Sequence, residues 1–347
     1  MLKARYGIVG IGNQGGNYAR KLNGGADKNA VLTAVCDTCE QRREWARQTL
    51  TGVQVFENYQ NMYDSGMVDA ALICTPPDNH VRPAADAFKS GLSVLVDKPP
   101  AAELEDFKAL CNAAKNYPDK AFSVMLNQRT DSLYAKAKQL IEQGELGELK
   151  RVVWQATDWY RPQKYYQDNW RGKSKGGVLL LQASHQLDLA AWLFGLPQRV
   201  TAFLKTEGRQ MQGENDACVF LEYGGGATGV FIASSHETPG TNRLEATGTR
   251  GKIVIEGRKL RFWQTDVKEP AFAAHNEHFI ARPGTVKKTF KKRLFEAVLQ
   301  KRTCGQHLKI ITNFSRVVMG KNEKLLVCGH DALAGMQLLD MIYNSRQ

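Results

Sequence analysis

One stretch restricts the fold of this chain more than any other: YGIVGIGNQGGNYARKL, from Tyr6 to Leu22. Tyr6 to Val9 form a short apolar run. Gly10, Gly12 and Gly15 follow in GxGxxG spacing, and Asn17 to Leu22 continue with a helical pattern. A second apolar run, VLTAVC, ends on Asp37, 22 residues after Gly15. Strand, glycine turn, helix, strand and terminal carboxylate in this order are the parts of a βαβ dinucleotide site. In such a site Gly10 permits the tight turn, Gly12 lets a pyrophosphate approach the backbone, and Gly15 lets helix and strand pack closely. Asn13 and Gln14 lie in the same turn, and the helix N-terminus behind them favours phosphate charge. Asp37 is placed to accept hydrogen bonds from ribose hydroxyls and would repel a 2′-phosphate, so NAD is expected over NADP. Arg42 and Arg43 lie close by in sequence and temper that preference.

The alternation continues through VDAALICTPP, HVRPAADAFKSG, SVLVDKPP, AELEDFKALCNAAK and FSVML. Repeated strand–helix units predict a doubly wound parallel sheet, an α/β domain over residues 1–126. Ligands on such sheets bind beyond the strand C-termini. The residues to watch are therefore Thr75 with Pro76, and Asp97 with Lys98. Pro99 and Pro100 hold Lys98 at its strand exit. Its ammonium could contact ribose or a substrate hydroxyl and stabilise alkoxide character; a surface lysine at a strand end is the plain alternative.

Residues 127–347 read as a second, α+β domain. RVTAFLKT, DACVFLEYGGGATGVFIASS, LEATGTRGKIVIEG and KLRFWQTD are strand-like and joined by glycine-containing turns, which predicts a large, mostly antiparallel open sheet. QHLKIITNF and DALAGMQLLDMIYNS read as closing helices. Ahead of the strands, TDWYRPQKYYQDNWRG crowds Trp159, Tyr160, Arg161, Tyr165, Tyr166, Trp170 and Arg171 together. Flat apolar rings and forked donors suit a polyhydroxylated ring, so a sugar-binding loop is expected here. Gly176 and Gly177 give a permissive, flexible lead into QASHQLDLAAW. Helical spacing there lines Gln182, His185 and Asp188 along one face. An imidazole is suited to proton transfer at neutral pH; a histidine held in a core is the other reading. Asn242 and Arg243 are further candidates for a substrate or interface contact.

Composition excludes several classes. The chain is 43% hydrophobic and 24% charged, as globular domains are. No apolar run approaches the ~20 residues of a membrane span, and MLKARYGIVG leads straight into strand-like sequence without a visible signal peptide. Seven scattered cysteines, an odd number, point to a reducing compartment, with cytoplasm the expectation. Cys36 and Cys39 form a lone CxxC without a second ligand pair, so no metal is expected. Half of the formal charge of +12 lies between Val286 and Arg302. That run lacks a nucleic-acid motif and reads as a solvated basic helix or as a patch that attracts anionic ligands. No nucleic acid and no membrane are expected as partners.

GIVGIGNQGG, CTPPDNHVRPAADAFKSGLSVLVDKP and the histidine segment together resemble the Gfo/Idh/MocA family, the glucose–fructose oxidoreductase and inositol dehydrogenase type enzymes. The resemblance implies an N-terminal Rossmann domain and a C-terminal domain whose open sheet binds substrate on one face and often packs against other subunits. A homo-oligomer, dimer or tetramer, is therefore expected. It implies that Lys98 and His185 are catalytic, that His80 belongs to the cofactor site, and that Arg129 and Gln182 contact substrate. Asp188 matches the family's HxxD. The implied reaction moves hydride between nicotinamide and a hydroxyl of a small-molecule sugar or glycoside, with carbon 3 of a glucoside preferred. Two departures stand out: Asp97-Lys98-Pro99 replaces Glu-Lys-Pro, and Leu181 replaces an aspartate or asparagine four residues before the histidine. A nucleotide-sugar or inositol dehydrogenase of the same fold, and a cofactor-binding sensor without turnover, remain the alternatives.

Overall fold

The computed structural model describes residues 3–167, 170–173, 176–265, 285–291 and 305–346, the backbone alone at 265 and 285–291. Contacts divide the chain into two compact units, residues 1–130 with 302–337, and residues 131–301 with 338–347.

The first unit opens with β1 (Ala4–Val9), α1 (Asn13–Asn23), β2 (Ala30–Cys36), α2 (Glu40–Thr49), β3 (Gln54–Phe56) and α3 (Tyr59–Asp64). It continues with β4 (Ala70–Ile73), α4 (Val81–Lys89), β5 (Ser93–Val96), α5 (Leu104–Ala114) and β6 (Phe122–Val124). The six strands are all parallel, in the order β3-β2-β1-β4-β5-β6. Strands β4 and β5 are buried at every position, which explains their uninterrupted apolar sequence. The order reverses between β1 and β4, and the crevice outside the strand C-termini at such a reversal is where ligands bind. This is the doubly wound sheet that the sequence predicts.

The second unit holds α6 (Ser132–Glu142), β7 (Leu149–Ala156), α7 (Trp170–Lys173), α8 (Val178–Leu181) and α9 (Ser184–Phe194). After these come β8 (Arg199–Lys205), β9 (Asp216–Glu222), β10 (Thr228–Ser234), β11 (Asn242–Gly248), β12 (Gly251–Glu256), β13 (Lys259–Thr265) and β14 (Thr285–Lys291). Its eight strands run β14-β13-β12-β11-β7-β10-β9-β8, antiparallel except for β7 with β10. Period-two alternation sets the faces. Trp154, Val219, Phe231, Leu244 and Phe262 are buried, whereas Val153, Phe203 and Phe220 are exposed. The basic run is corrected in part. Val286 to Lys291 belong to β14, not to a helix, because Thr285, Val286 and Thr289 are β-branched and the segment pairs with β13. Residues 292–302 lie outside the described residues.

The chain returns to the first unit with α10 (Gly305–Val318) and closes with α11 (Leu333–Asn344), whose residues are divided between the units. Ile310, Ile311 and Phe314 of α10 are buried, Phe314 against Tyr6 of β1, and the Tyr6 hydroxyl meets Ser315 Oγ at 2.8 Å. No helix among the described residues is long and apolar enough to cross a membrane.

Candidate active site

In the first unit the glycine turn has a steric reason at Gly10 and Gly15 and open space at Gly12. Gly10 sits at φ +85°, a left-handed conformation, and a Cβ there would lie 2.9 Å from the Cys74 carbonyl carbon and the Thr75 nitrogen. A Cβ on Gly15 would lie 1.9 Å from the Gly10 oxygen. Around Gly12 nothing lies within 4 Å of an added Cβ. Gly12 is also the N-cap of α1, which has neither a side-chain cap nor an acidic residue in its first turn. The positive end of the helix is thus left to a ligand, with exposed Asn13 and half-buried Gln14 beside it. This open cradle fits a pyrophosphate.

Asp37 closes the other side. Its Oδ2 accepts the Ile11 N–H at 2.8 Å and its Oδ1 the Cys39 N–H at 2.9 Å, which fixes the carboxylate against the glycine turn. Buried Arg43 is already engaged: it donates to the Asp37 and Thr38 carbonyls at 2.9 and 2.8 Å, and pairs with Glu40 and Glu57. Arg42 is exposed. A ribose diol, rather than a 2′-phosphate, suits this corner.

At the ends of β4 and β5 the loops lock together. Thr75 Oγ1 donates to the Asn79 carbonyl at 2.9 Å, and Pro76 begins the turn. The buried His80 ring faces the Thr75 carbonyl through Nε2 at 2.6 Å and the Pro99 carbonyl through Nδ1 at 2.9 Å. Those carbonyls favour the imidazolium, burial opposes it more strongly, and the pKa falls to about 4. His80 was expected to bind cofactor; both ring nitrogens are occupied by backbone, so its part is to hold the Thr75 and Lys98–Pro99 loops together. Half-buried Lys98 follows Asp97, whose carboxyl burial pushes up to about 6 against the opposing charge of Lys98.

Two neighbours of this corner were not visible in the sequence. Buried Tyr18 of α1 donates to Asp97 Oδ1 at 3.4 Å, and its ring lies 5.8 Å from that of His307 on α10. Burial, then the charges of Lys21 and Lys98, pulls His307 down to about 4. His307 lay inside a segment read only as a closing helix, and no spacing signal marked it. Beside it Gln306 Oε1 accepts from Asn127 Nδ2 at 3.1 Å. Arg129, expected on substrate, is corrected: its guanidinium is buried, donates to the Asp331 carbonyl at 3.0 Å, and lies 3.8 Å from the Asp331 carboxylate.

In the second unit the polar stripe is not on one helix. Gln182 lies at the C-cap of α8 and Ala183 is the N-cap of α9, so the chain turns between Gln182 and His185. His185 is in the first turn of α9 and Asp188 one turn on, both buried. Leu181, in α8, is buried as well. The preceding glycines are clamped, not flexible. A Cβ on Gly177 would lie 1.6 Å from the Glu214 carbonyl oxygen, and the Glu214 carboxylate accepts from Gly177 N, Leu179 N and Tyr343 Oη at 3.1, 2.9 and 3.2 Å.

The aromatic loop is a ladder. Arg161 stacks over Tyr165 at 5.1 Å, and Arg171 over Tyr165 at 5.0 Å and Trp170 at 4.6 Å. Tyr165 Oη accepts from Gln182 Nε2 at 3.1 Å, which ties the ladder to the histidine segment. Trp159 is half-buried. Tyr166 is corrected: it is buried with its hydroxyl 2.8 Å from Ser235 Oγ, a packing residue rather than a substrate contact. Asn242 is bonded to Asp158, and Arg243 pairs with Glu245 and Glu256 at 2.9 and 3.0 Å, leaving both engaged within the unit. Among the described residues no group of three or more His, Cys, Asp or Glu could hold a metal ion.

Comparison with known proteins agrees with this geometry. Residues 4–125 match the oxidoreductase family described as an NAD-binding Rossmann fold, and residues 134–254 match the GFO/IDH/MocA C-terminal domain. An inositol 2-dehydrogenase of Rhizobium meliloti (strain 1021) is 26% identical over 264 residues, 74% of this chain and 77% of that protein. The scyllo-inositol 2-dehydrogenase (NAD(+)) of Bacillus subtilis (strain 168) is 28% identical over 261 residues, 73% and 74% of the two chains. Among solved structures, the WlbA dehydrogenase from Bordetella pertussis, in complex with NADH and UDP-GlcNAcA, superposes with a TM-score of 0.80 at 25% identity, over 99% of this chain and 96% of that one. With both halves of the chain matched, the protein belongs to the Gfo/Idh/MocA family and is an NAD-binding oxidoreductase.

Proposed function

We propose that this oxidoreductase oxidises a secondary hydroxyl of a sugar, glycoside or polyol to a ketone. The observation that carries the reading is Lys98, held by the His80 clamp at the end of β5, on the same sheet edge as the Gly10–Gly15 turn. Relatives named as inositol dehydrogenases support a CH–OH substrate, and carbon 3 of a glucoside is our preferred position.

Gly10, Gly12, Gly15 and Asp37 would hold NAD, which would supply a hydride acceptor. Thr75 and Pro76 border that cradle. Lys98 donates a hydrogen bond to the reacting oxygen and stabilises the negative charge that develops there. His185 takes the hydroxyl proton, and Asp188, one turn along α9, orients its ring. Leu181 supplies no second carboxylate, so the proton has a single acceptor. Gln182, Arg161, Tyr165, Trp170 and Arg171 hold the sugar. The exposed Phe203 and Phe220 on the outer sheet face support a homo-oligomer, which light scattering measures.

The test is absorbance of reduced nicotinamide with NAD or NADP and a panel of free sugars, glycosides, inositols and nucleotide sugars. Reduction of NAD by one class supports the reading. Tight NAD binding without turnover on any compound rejects it in favour of a sensor.

A further inference from the structure

His330 stands between two cysteines of the first unit. Cys111 is on α5 and buried, and Cys328 opens the short turn Gly329–Ala332 and is half-buried. The imidazole Nε2 lies 3.1 Å from the Cys111 carbonyl oxygen, and Nδ1 lies 3.7 Å from Cys328 Sγ. A carbonyl only accepts, so Nε2 carries the ring proton and Nδ1 presents its lone pair to the Cys328 thiol. The thiol therefore donates to a base whose tautomer is fixed by a third group. Nucleophile, base and orienting acceptor are together the parts of an activated thiol. A cysteine that only fills space needs none of them.

The ring is held in place. It meets the Phe122 ring edge-on, with 5.6 Å between centroids and 84° between planes. The backbone on either side is fixed as well: Ser123 Oγ donates to the Val327 carbonyl at 2.7 Å, and Asp331 N to the Cys328 carbonyl at 3.0 Å. A Cβ on Gly329 would lie 2.3 Å from the Phe122 ring, so the turn seats there only as glycine.

The two thiols differ in their surroundings. Burial, then the neighbouring Cys328, pushes the Cys111 thiol up to about 11, which keeps it protonated at neutral pH. Lys115, exposed at the end of α5, acts on Cys111 in the opposite sense; it donates to Asn112 Oδ1 at 3.0 Å and pairs with no carboxylate among the described residues. The Asp331 carboxylate, beside His330 in sequence, lies 3.8 Å from the Arg129 guanidinium. Cys111, Cys328 and His330 are not disposed to hold a metal ion.

We propose that Cys328 is a thiol-modification site that reacts with disulfides of low-molecular-weight thiols, with His330 as its base. His330 Nδ1 takes the thiol proton while Cys328 Sγ attacks one sulfur of the disulfide. A bond forms between Sγ and that sulfur, the reagent's S–S bond breaks, and the departing thiolate takes the proton from Nδ1. Cys328 is oxidised to a mixed disulfide, one sulfur of the reagent is reduced to a thiol, and His330 ends as it began. No step involves the cofactor or a sugar, so the site stands whether or not the dehydrogenase reading does.

The probe is oxidised glutathione. Protein without cofactor is incubated with it, quenched by alkylation, and the adduct at each cysteine is followed by peptide mass spectrometry. Cys328 is expected to gain a glutathione adduct that dithiothreitol removes, while Cys111 stays unmodified. His330→Gln is expected to slow that adduct about tenfold near pH 7, and less than about twofold near pH 9.5, where thiols ionise unaided. Exposed Cys39 is the internal reference, with the same rate expected in both proteins, and NADH fluorescence titration checks that the variant is folded. Should the variant fail to fold, the wild-type protein supplies a second test. An unassisted thiol gains about tenfold in rate per pH unit below its ionisation, and Cys328 should climb less steeply than Cys39 between about pH 6.5 and 8. Any one of three results overturns the proposal: no adduct at Cys328, a folded His330→Gln variant as fast as wild type near neutral pH, or a pH slope at Cys328 as steep as that at Cys39.

Discussion

The glycine turn of the first unit and the glycine pair of the second are both places where backbone is pressed against backbone. A Cβ on Gly15 would meet the Gly10 carbonyl at 1.9 Å, and a Cβ on Gly177 the Glu214 carbonyl at 1.6 Å. Their partners differ. Gly15 meets a carbonyl five residues back, so the constraint is written locally and a spacing rule captures it. Gly177 meets a carbonyl from a different loop, the same residue whose carboxylate collects Gly177, Leu179 and Tyr343. Close approach is common to both; only the first has a sequence signature.

The comparison can be broken at its strongest point. Gly177→Ala should lower the melting temperature of the second unit sharply or prevent soluble expression, since backbone must shift; Gly12→Ala, with open space around it, should change stability by less than about 0.5 kcal/mol. Gly12→Ala should nevertheless weaken NAD binding at least about tenfold, because the pyrophosphate needs that space. Calorimetry and NADH fluorescence separate the two effects, and a destabilised Gly12→Ala would contradict the cradle described here.

Next in size is His185→Ala, for which a loss of about 10²–10⁴ in kcat with little change in NAD affinity is expected. A variant retaining most of the wild-type kcat would remove His185 from proton transfer.

A smaller effect concerns acid stability of the first unit. His80 and His307 have folded pKa values near 4, below the ordinary 6.5. Their contribution is therefore present above pH 6.5 and lost as pH falls towards 4. For buried His80 it amounts to on the order of 3 kcal/mol. Asp97, raised to about 6, has the opposite sign: its contribution is present below about 3.8 and lost as pH rises through 6. Melting curves between pH 7 and 4 should show net destabilisation on acidification. His307→Gln should flatten that slope and Asp97→Asn should steepen it. The smallest expected effect is on the pH–rate profile, from which Asp97→Asn should remove an inflection near 6.

How much was legible follows the same divide. The parallel sheet is encoded within short windows, and there the sequence expectation and the structure coincide; the glycine turn, Asp37 and Lys98 stand in the same windows, at the strand ends where the sequence puts them. In the second unit, composition pointed to aromatics and arginines but not to their arrangement. Tyr166 is buried because Ser235 lies beneath it, and Gln182 leaves the histidine helix because the chain turns at Ala183. Arg129 and His80 were drawn inward by the Asp331, Thr75 and Pro99 carbonyls. His307 acquires its neighbours only through Tyr18, almost a full chain length away. Such assignments depend on tertiary contacts that no local pattern carries.

The bond between Tyr6 and Ser315 spans 309 positions. During synthesis at about 5–20 residues per second, β1 therefore waits roughly fifteen to sixty seconds before α10 is made. Throughout that interval the apolar flank that Phe314 later covers faces water or a chaperone. β1, the strand that leads into the nucleotide cradle, is thus made long before the helix that covers its Tyr6.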